Sequence, residues 1–175
     1  DPLSIDGWIL GELSKVARTV VDALTAYEFR VAQQALYDFC NDELSSVYCA
    51  AVKDRLYCDL LDSARRQQTA ATMRFIADVL IRLLAPFIPH TADEAWRALQ
   101  GESEDGVHMH QFLTPDYKAS PLWVEVIEIR DRALKALEIA KSEGIENPLD
   151  AGLVLPKSIS QFDTCDLADL CGVSG

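Results

Sequence analysis

A chain of 175 residues, 49% hydrophobic and 25% charged, has enough apolar content for one sizeable core and too much for intrinsic disorder. No run reaches the roughly 20 apolar residues of a membrane span. Asp1 to Gly7 also lack the basic start of a secretory signal, so a soluble, cytoplasmic chain with no membrane partner is expected. The net charge of −12 excludes a generic nucleic-acid binder, because phosphate contacts need Lys and Arg.

In chain order, Ile5, Trp8, Ile9, Leu13, Val16, Val20, Leu24 and Tyr27 recur at steps of three and four, which predicts a long first helix with one buried face. A second stripe, Phe29, Ala32, Leu36, Phe39, Leu44, Val47 and Ala51, predicts a helix from about Glu28 to Arg55. A third runs from Thr72 to Phe87, with Arg74, Asp78 and Arg82 four apart on its other side, where opposite charges can pair. Pro86 and Pro89 end it. Thr91 and Glu94 have capping-box spacing and predict a short helix through Trp96 to Leu99.

Gly101 to Pro121 has no periodicity and reads as a long connection in which Val107 to Phe112 is extended. Ser120 and Pro121 then start a helix carrying Leu122, Val126, Ile129, Ala133, Leu137 and Ala140, which Gly144 stops. Short apolar runs at Gly152 to Leu155 and Ile159 to Phe162 predict strands, and Asp166 to Cys171 one more short helix. The expected fold is mainly α: an antiparallel helix bundle over 1–100, a connecting loop over 101–121, and over 122–175 a helix followed by a small α/β tail. Trp8, Trp96 and Trp123 are assigned to core packing.

No P-loop, GxSxG, HExxH or dinucleotide-binding turn is present. The five cysteines are odd in number, and the spacing of Cys165 and Cys171 fits no common zinc site. His108 and His110 would share one side of an extended segment but have no third ligand at matching spacing. Asp93 and Glu94, or Glu102, Glu104 and Asp105, read as hydrated acids in a first helical turn and a loop. A catalytic or metal site is therefore not expected on this chain.

Two blocks carry a resemblance. Asp42-Glu43-Leu44-Ser45-Ser46-Val47-Tyr48 with Lys53-Asp54-Arg55-Leu56-Tyr57 resembles the "DLSxxY…KDRLY" signature of isoleucyl-tRNA synthetases, with Glu43 an insertion-like departure at the acidic position. Leu83 to Trp96, LLAPFIPHTADEAW, resembles the "LLAPxxPHxAEExW" pattern of the isoleucyl, valyl and leucyl enzymes. Ile5 to Leu13 and Trp123 to Leu155 are similar to the stretches that follow the catalytic core and lead into the C-terminal region of those class I synthetases.

The resemblance implies an anticodon-binding bundle of an enzyme that activates isoleucine with ATP and Mg and charges tRNA. Its partners would be tRNA(Ile) and the catalytic, editing and C-terminal domains of the same chain. The HIGH and KMSKS motifs that bind ATP in the family are absent, so this stretch alone is expected to be inactive and without a cofactor. The zinc module of many bacterial members would lie beyond Gly175.

Anticodon loops are held by aromatic stacking and by Arg or Lys contacts. Such contacts are expected between Lys53 and Arg82, where six basic and four acidic residues give +2 against −14 for the remainder. The candidates are Tyr48, Lys53, Arg55 and Tyr57, joined by Arg65 and Arg66. Lys53 and Arg55, about 200° apart on a helix, cannot share a face. The competing assignments are an ion pair of Arg55 with Asp54 or Asp59, a packed Tyr57, and a solvated turn for Arg65 and Arg66. The competing function is a free-standing helical module that binds a protein partner.

Overall fold

The computed structural model describes residues 1–101, 105–142 and 152–173. Helix α1 (Ile5–Thr25) opens with the Ser4 hydroxyl accepting the Gly7 amide, and it buries the expected stripe from Ile5 through Val20. Its end is a Schellman turn in which the Glu28 amide donates to the Ala23 carbonyl and Tyr27 takes the left-handed conformation, φ +61°; this turn carries Tyr27, expected on the buried stripe, out to 80% exposure.

The second stripe forms one continuous rod with a changed winding: α2 (Phe29–Asp38), a π-helical segment (Phe39–Cys49) and α3 (Ala50–Tyr57). The apolar step from Phe39 to Leu44 is five residues, which an α-helix would rotate off the core. The wider i→i+5 turn returns Val47 and Tyr48 to the buried side. Ser63 caps α4 (Ala64–Leu84), which runs alongside α1 in the same direction, the Thr69 hydroxyl facing Asp6 at 3.4 Å. Arg82 pairs with Asp78 at 2.9 Å as the spacing predicts, whereas Arg74 turns away to Gln100.

Helix α5 (Pro89–Gln100) starts two residues before Thr91, and Ile88 at its N-cap makes no side-chain bond. Proline at the first helical position already has the right φ and no amide to satisfy, so the Thr91–Glu94 spacing is not what starts this helix. Trp96 is buried with Ala85, Ala92 and Val107, the Arg82 guanidinium 4.7 Å from its ring centroid and the His110 ring 4.5 Å from it. The extended reading of Val107 to Phe112 is corrected in part: Val107–Met109 is a turn of 3-10 helix, anchored by the Val107 amide donating to Asp93. Glu102 and Glu104 lie outside the described residues.

The chain next crosses α1, where the Tyr117 amide donates to the Ser14 hydroxyl and a Cβ on Gly11 would stand 2.9 Å from the Ala119 nitrogen. Helix α6 (Trp123–Ser142) then sends Trp123, Val126 and Ile129 into the core shared by α1, α2 and α4. The expected stop at Gly144 lies outside the described residues. Among the described residues there is no strand, so the α/β tail is a correction: residues 152–156 are irregular, Lys157–Ile159 is a 3-10 turn, and α7 (Thr164–Cys171) is capped by Asp163. Ile159 and Phe162, three apart, both turn into the core, a helical spacing that an alternating strand cannot provide.

Candidate nucleic-acid interface

Helix α3 divides its side chains by rotation. Val52 and Arg55 point inward, while Lys53 and Tyr57, four apart and so on one face, point to solvent, Tyr57 at 85% exposure. Arg55 is 2% exposed and held from two sides: Nη2 donates to Asp166 at 2.6 Å and Nε to Asp169 at 2.7 Å. Burial alone would lower its pKa, and the two carboxylates reverse that and hold it above the ordinary value. Its partners are therefore neither Asp54 nor Asp59 but two residues of α7.

Tyr48 is fully buried, and its hydroxyl donates to Asp6. Burial, and then the negative charge of Asp6, push the phenol pKa up. The Asp6 carboxyl is itself raised by burial, against the lowering effect of the Tyr48 hydrogen bond. Asp166 closes the circuit by accepting the Ile5 amide at 2.9 Å. The starts of α1 and α4, the end of α3 and all of α7 thus meet at one end of the bundle. Tyr48 and Arg55, expected at the RNA surface, face into this junction, because the helix rotation that exposes Lys53 turns them inward.

Arg65 and Arg66 stand beside the α3–α4 turn. Arg65 pairs with Asp59 through two bonds of 3.0 Å and reaches Asp169 at 3.3 Å, and Arg66 donates to the Asp59 carbonyl at 2.7 Å. The Arg65 guanidinium holds the Asp59 carboxyl below its ordinary range. Arg65 still keeps 37% of its side chain in solvent. The same turn exposes Leu60 and Leu61, at 76% and 79%. Of the expected residues, Lys53 and Tyr57 are exposed, and Arg65 and Arg66 are half-exposed, Arg65 sharing Asp169 with the buried Arg55.

Sequence reading missed Asp6, Asp166 and Asp169 as the acids that balance this corner. Asp6 had one local signal, an acid adjoining the first buried residue of an apolar stripe. The two α7 acids had none, since they lie more than a hundred residues from Arg55.

A cleft of about 1090 Å³ between α1, the π-helical segment and residues 116–131 is acidic, lined by Glu12, Asp22, Asp42, Glu43, Asp116, Glu128 and Asp131 against Lys15, Arg18 and Lys118. The Glu43 carboxyl is raised by burial, then by Glu12, Asp42 and Asp38. Among the described residues no group of three or more His, Cys, Asp or Glu side chains is placed to hold a metal ion. No described helix is long and apolar enough to cross a membrane.

The family model for the anticodon-binding domain of tRNA ligase matches residues 6–151. The chain is 36% identical to the isoleucine–tRNA ligase of Syntrophotalea carbinolica over 87% of its length and 17% of that protein's. With the isoleucine–tRNA ligase of Carboxydothermus hydrogenoformans it shares 35% identity, covering 92% of the chain and 18% of that protein. With that of Brevibacillus brevis it shares 34%, covering 95% and 19%. The chain spans less than a fifth of the length of these relatives. With a helical bundle underlying a match over most of its residues, the chain belongs to the family of anticodon-binding domains of tRNA ligases.

Proposed function

We propose that this chain is the anticodon-region binding part of an isoleucine–tRNA ligase and that its RNA partner is tRNA(Ile). The match over residues 6–151, with relatives named for isoleucine, carries the reading. Activation of isoleucine with ATP and Mg, editing and transfer to tRNA belong on this reading to other parts of a longer ligase chain, which are also its intramolecular partners in the cytoplasm.

Lys53 and Tyr57 form the centre of the RNA contact, an ammonium for a phosphate and an exposed ring for a base or sugar, and the half-exposed Arg65 and Arg66 at the start of α4 extend it. Tyr48 and Arg55 support that surface from behind. The exposed Leu60 and Leu61 and the acidic cleft favour the second reading, a helical module for a protein partner.

Fluorescence anisotropy of labelled tRNA(Ile) at low and moderate salt separates the two. The expected result is binding that weakens as salt rises, with Lys53→Ala lowering the slope of log affinity against log salt by about 1. Absence of binding at both salts, up to tens of micromolar chain, overturns the RNA reading.

A further inference from the structure

We propose that Tyr27 and Phe29, at the α1–α2 turn, form a stacking platform for one unpaired nucleobase of the bound RNA; this rests on the reading that the chain binds tRNA. The two rings are 80% and 53% exposed, 6.2 Å apart between centroids and nearly perpendicular at 79°. An edge-to-face pair at such exposure leaves ring faces open to solvent, and every base has a π-face to lay on one.

Tyr27 is also the one non-glycine among the described residues with a positive φ. The left-handed position that closes a Schellman turn is one that glycine fills without steric cost. Tyrosine there brings the fold little in return: beyond the edge contact with Phe29, the ring is left in solvent. A strained residue that presents an aromatic face outward is understandable when the face is what is used.

Glu28 and Arg30, both exposed, leave the turn neutral, so it offers stacking without a net phosphate attraction. A base inside a duplex has its faces covered, which restricts the ligand to a looped-out or single-stranded base. Lys53 and Tyr57 lie at the end of the bundle where α1 begins and the platform where it ends. The 21 residues of α1 separate them by about 30 Å. One RNA reaches both by lying along the bundle, phosphates at the α3–α4 corner and a loop base on the turn.

The test titrates the 175-residue chain against a hairpin RNA with the tRNA(Ile) anticodon stem and loop, and against a blunt duplex of the same stem, over a series of salt concentrations. Tyr27→Ala and Phe29→Ala are each expected to weaken hairpin binding roughly 5- to 100-fold at every salt, with the salt slope and duplex affinity unchanged. Tyr27→Gly is expected to melt at or above the wild-type temperature while binding the hairpin as poorly as Tyr27→Ala. Hairpin affinity unchanged in the alanine variants while wild type binds overturns the platform and leaves the tRNA reading standing. A loss shared equally by the duplex also overturns it, and a wild-type chain that binds neither RNA removes both.

Discussion

Lys53 and Arg55 stand two residues apart in the most basic part of the chain and do opposite work. Lys53 extends into solvent, while Arg55 closes a buried junction with Asp166 and Asp169. Lys53→Ala is therefore expected to leave the melting temperature unchanged and to reduce RNA affinity. Arg55→Met strands two carboxylates beside an apolar side chain and should cost about 3 kcal/mol in a denaturant titration. Equal stability of the two variants would refute the division. That the two side chains cannot share a face was readable from two residues of helix rotation. Which one faces inward was not, because its partners come from α7, brought near by folding alone. The three tryptophans were legible for the opposite reason: each lies in a segment read as helix and was assigned to core packing, and all are at most 4% exposed.

At the scale of elements, long apolar stripes were reliable along their middles but not at the α1–α2 turn, where Tyr27 and Phe29 are exposed, and local signals were less so. The five-residue step inside the second stripe had already marked the place where α winding gives way to π, yet it reads in sequence as a slight irregularity in one helix. The start of α5 went to Pro89 over the Thr91–Glu94 spacing because a pre-set φ costs nothing to form.

The start of α1 carries a pH dependence of its own. Asp6 is raised above its ordinary value of 3.8 by burial, so the folded state binds its proton more tightly than the unfolded chain. Its contribution to stability therefore falls as pH rises from 3.8 through the raised value. Asp59 and Asp93, held low by Arg65 and Arg97 respectively, act in the other direction: their contributions are present above 3.8 and are lost as pH falls below it. Denaturant titrations across this range should show Asp6→Asn gaining stability relative to wild type as pH rises above 3.8. A constant difference would show that Asp6 is not a titrating buried acid.

For the whole molecule, the C-terminal stretch is part of the main core. Ile159, Phe162, Leu167 and Leu170 are each at most 7% exposed and share a cluster with Trp8 and Trp123, and α7 supplies both partners of Arg55. Deleting residues 152–175 removes these four side chains together with the buried Cys171 and Val173; the four alone are worth about 6–12 kcal/mol by area, comparable to the whole stability of a typical domain. The truncated chain is expected to show no cooperative thermal transition in calorimetry. A transition near the full chain's temperature would return the tail to the status of an appendage.

Residue types and their local spacing carried the helical class, most of the apolar faces, the absence of the known nucleotide-binding and catalytic motifs, and, through two motif blocks, a resemblance to isoleucyl-tRNA synthetases that the family match and the isoleucine–tRNA ligase relatives bear out. These depend on residue type and on periods of three and four, which are local. Packing across the chain settled which basic residues reach solvent, which acids neutralise the others, and that two exposed aromatics meet on a left-handed turn. Those outcomes depend on pairings across the chain, and a helix period specifies a face without naming what will pack against it.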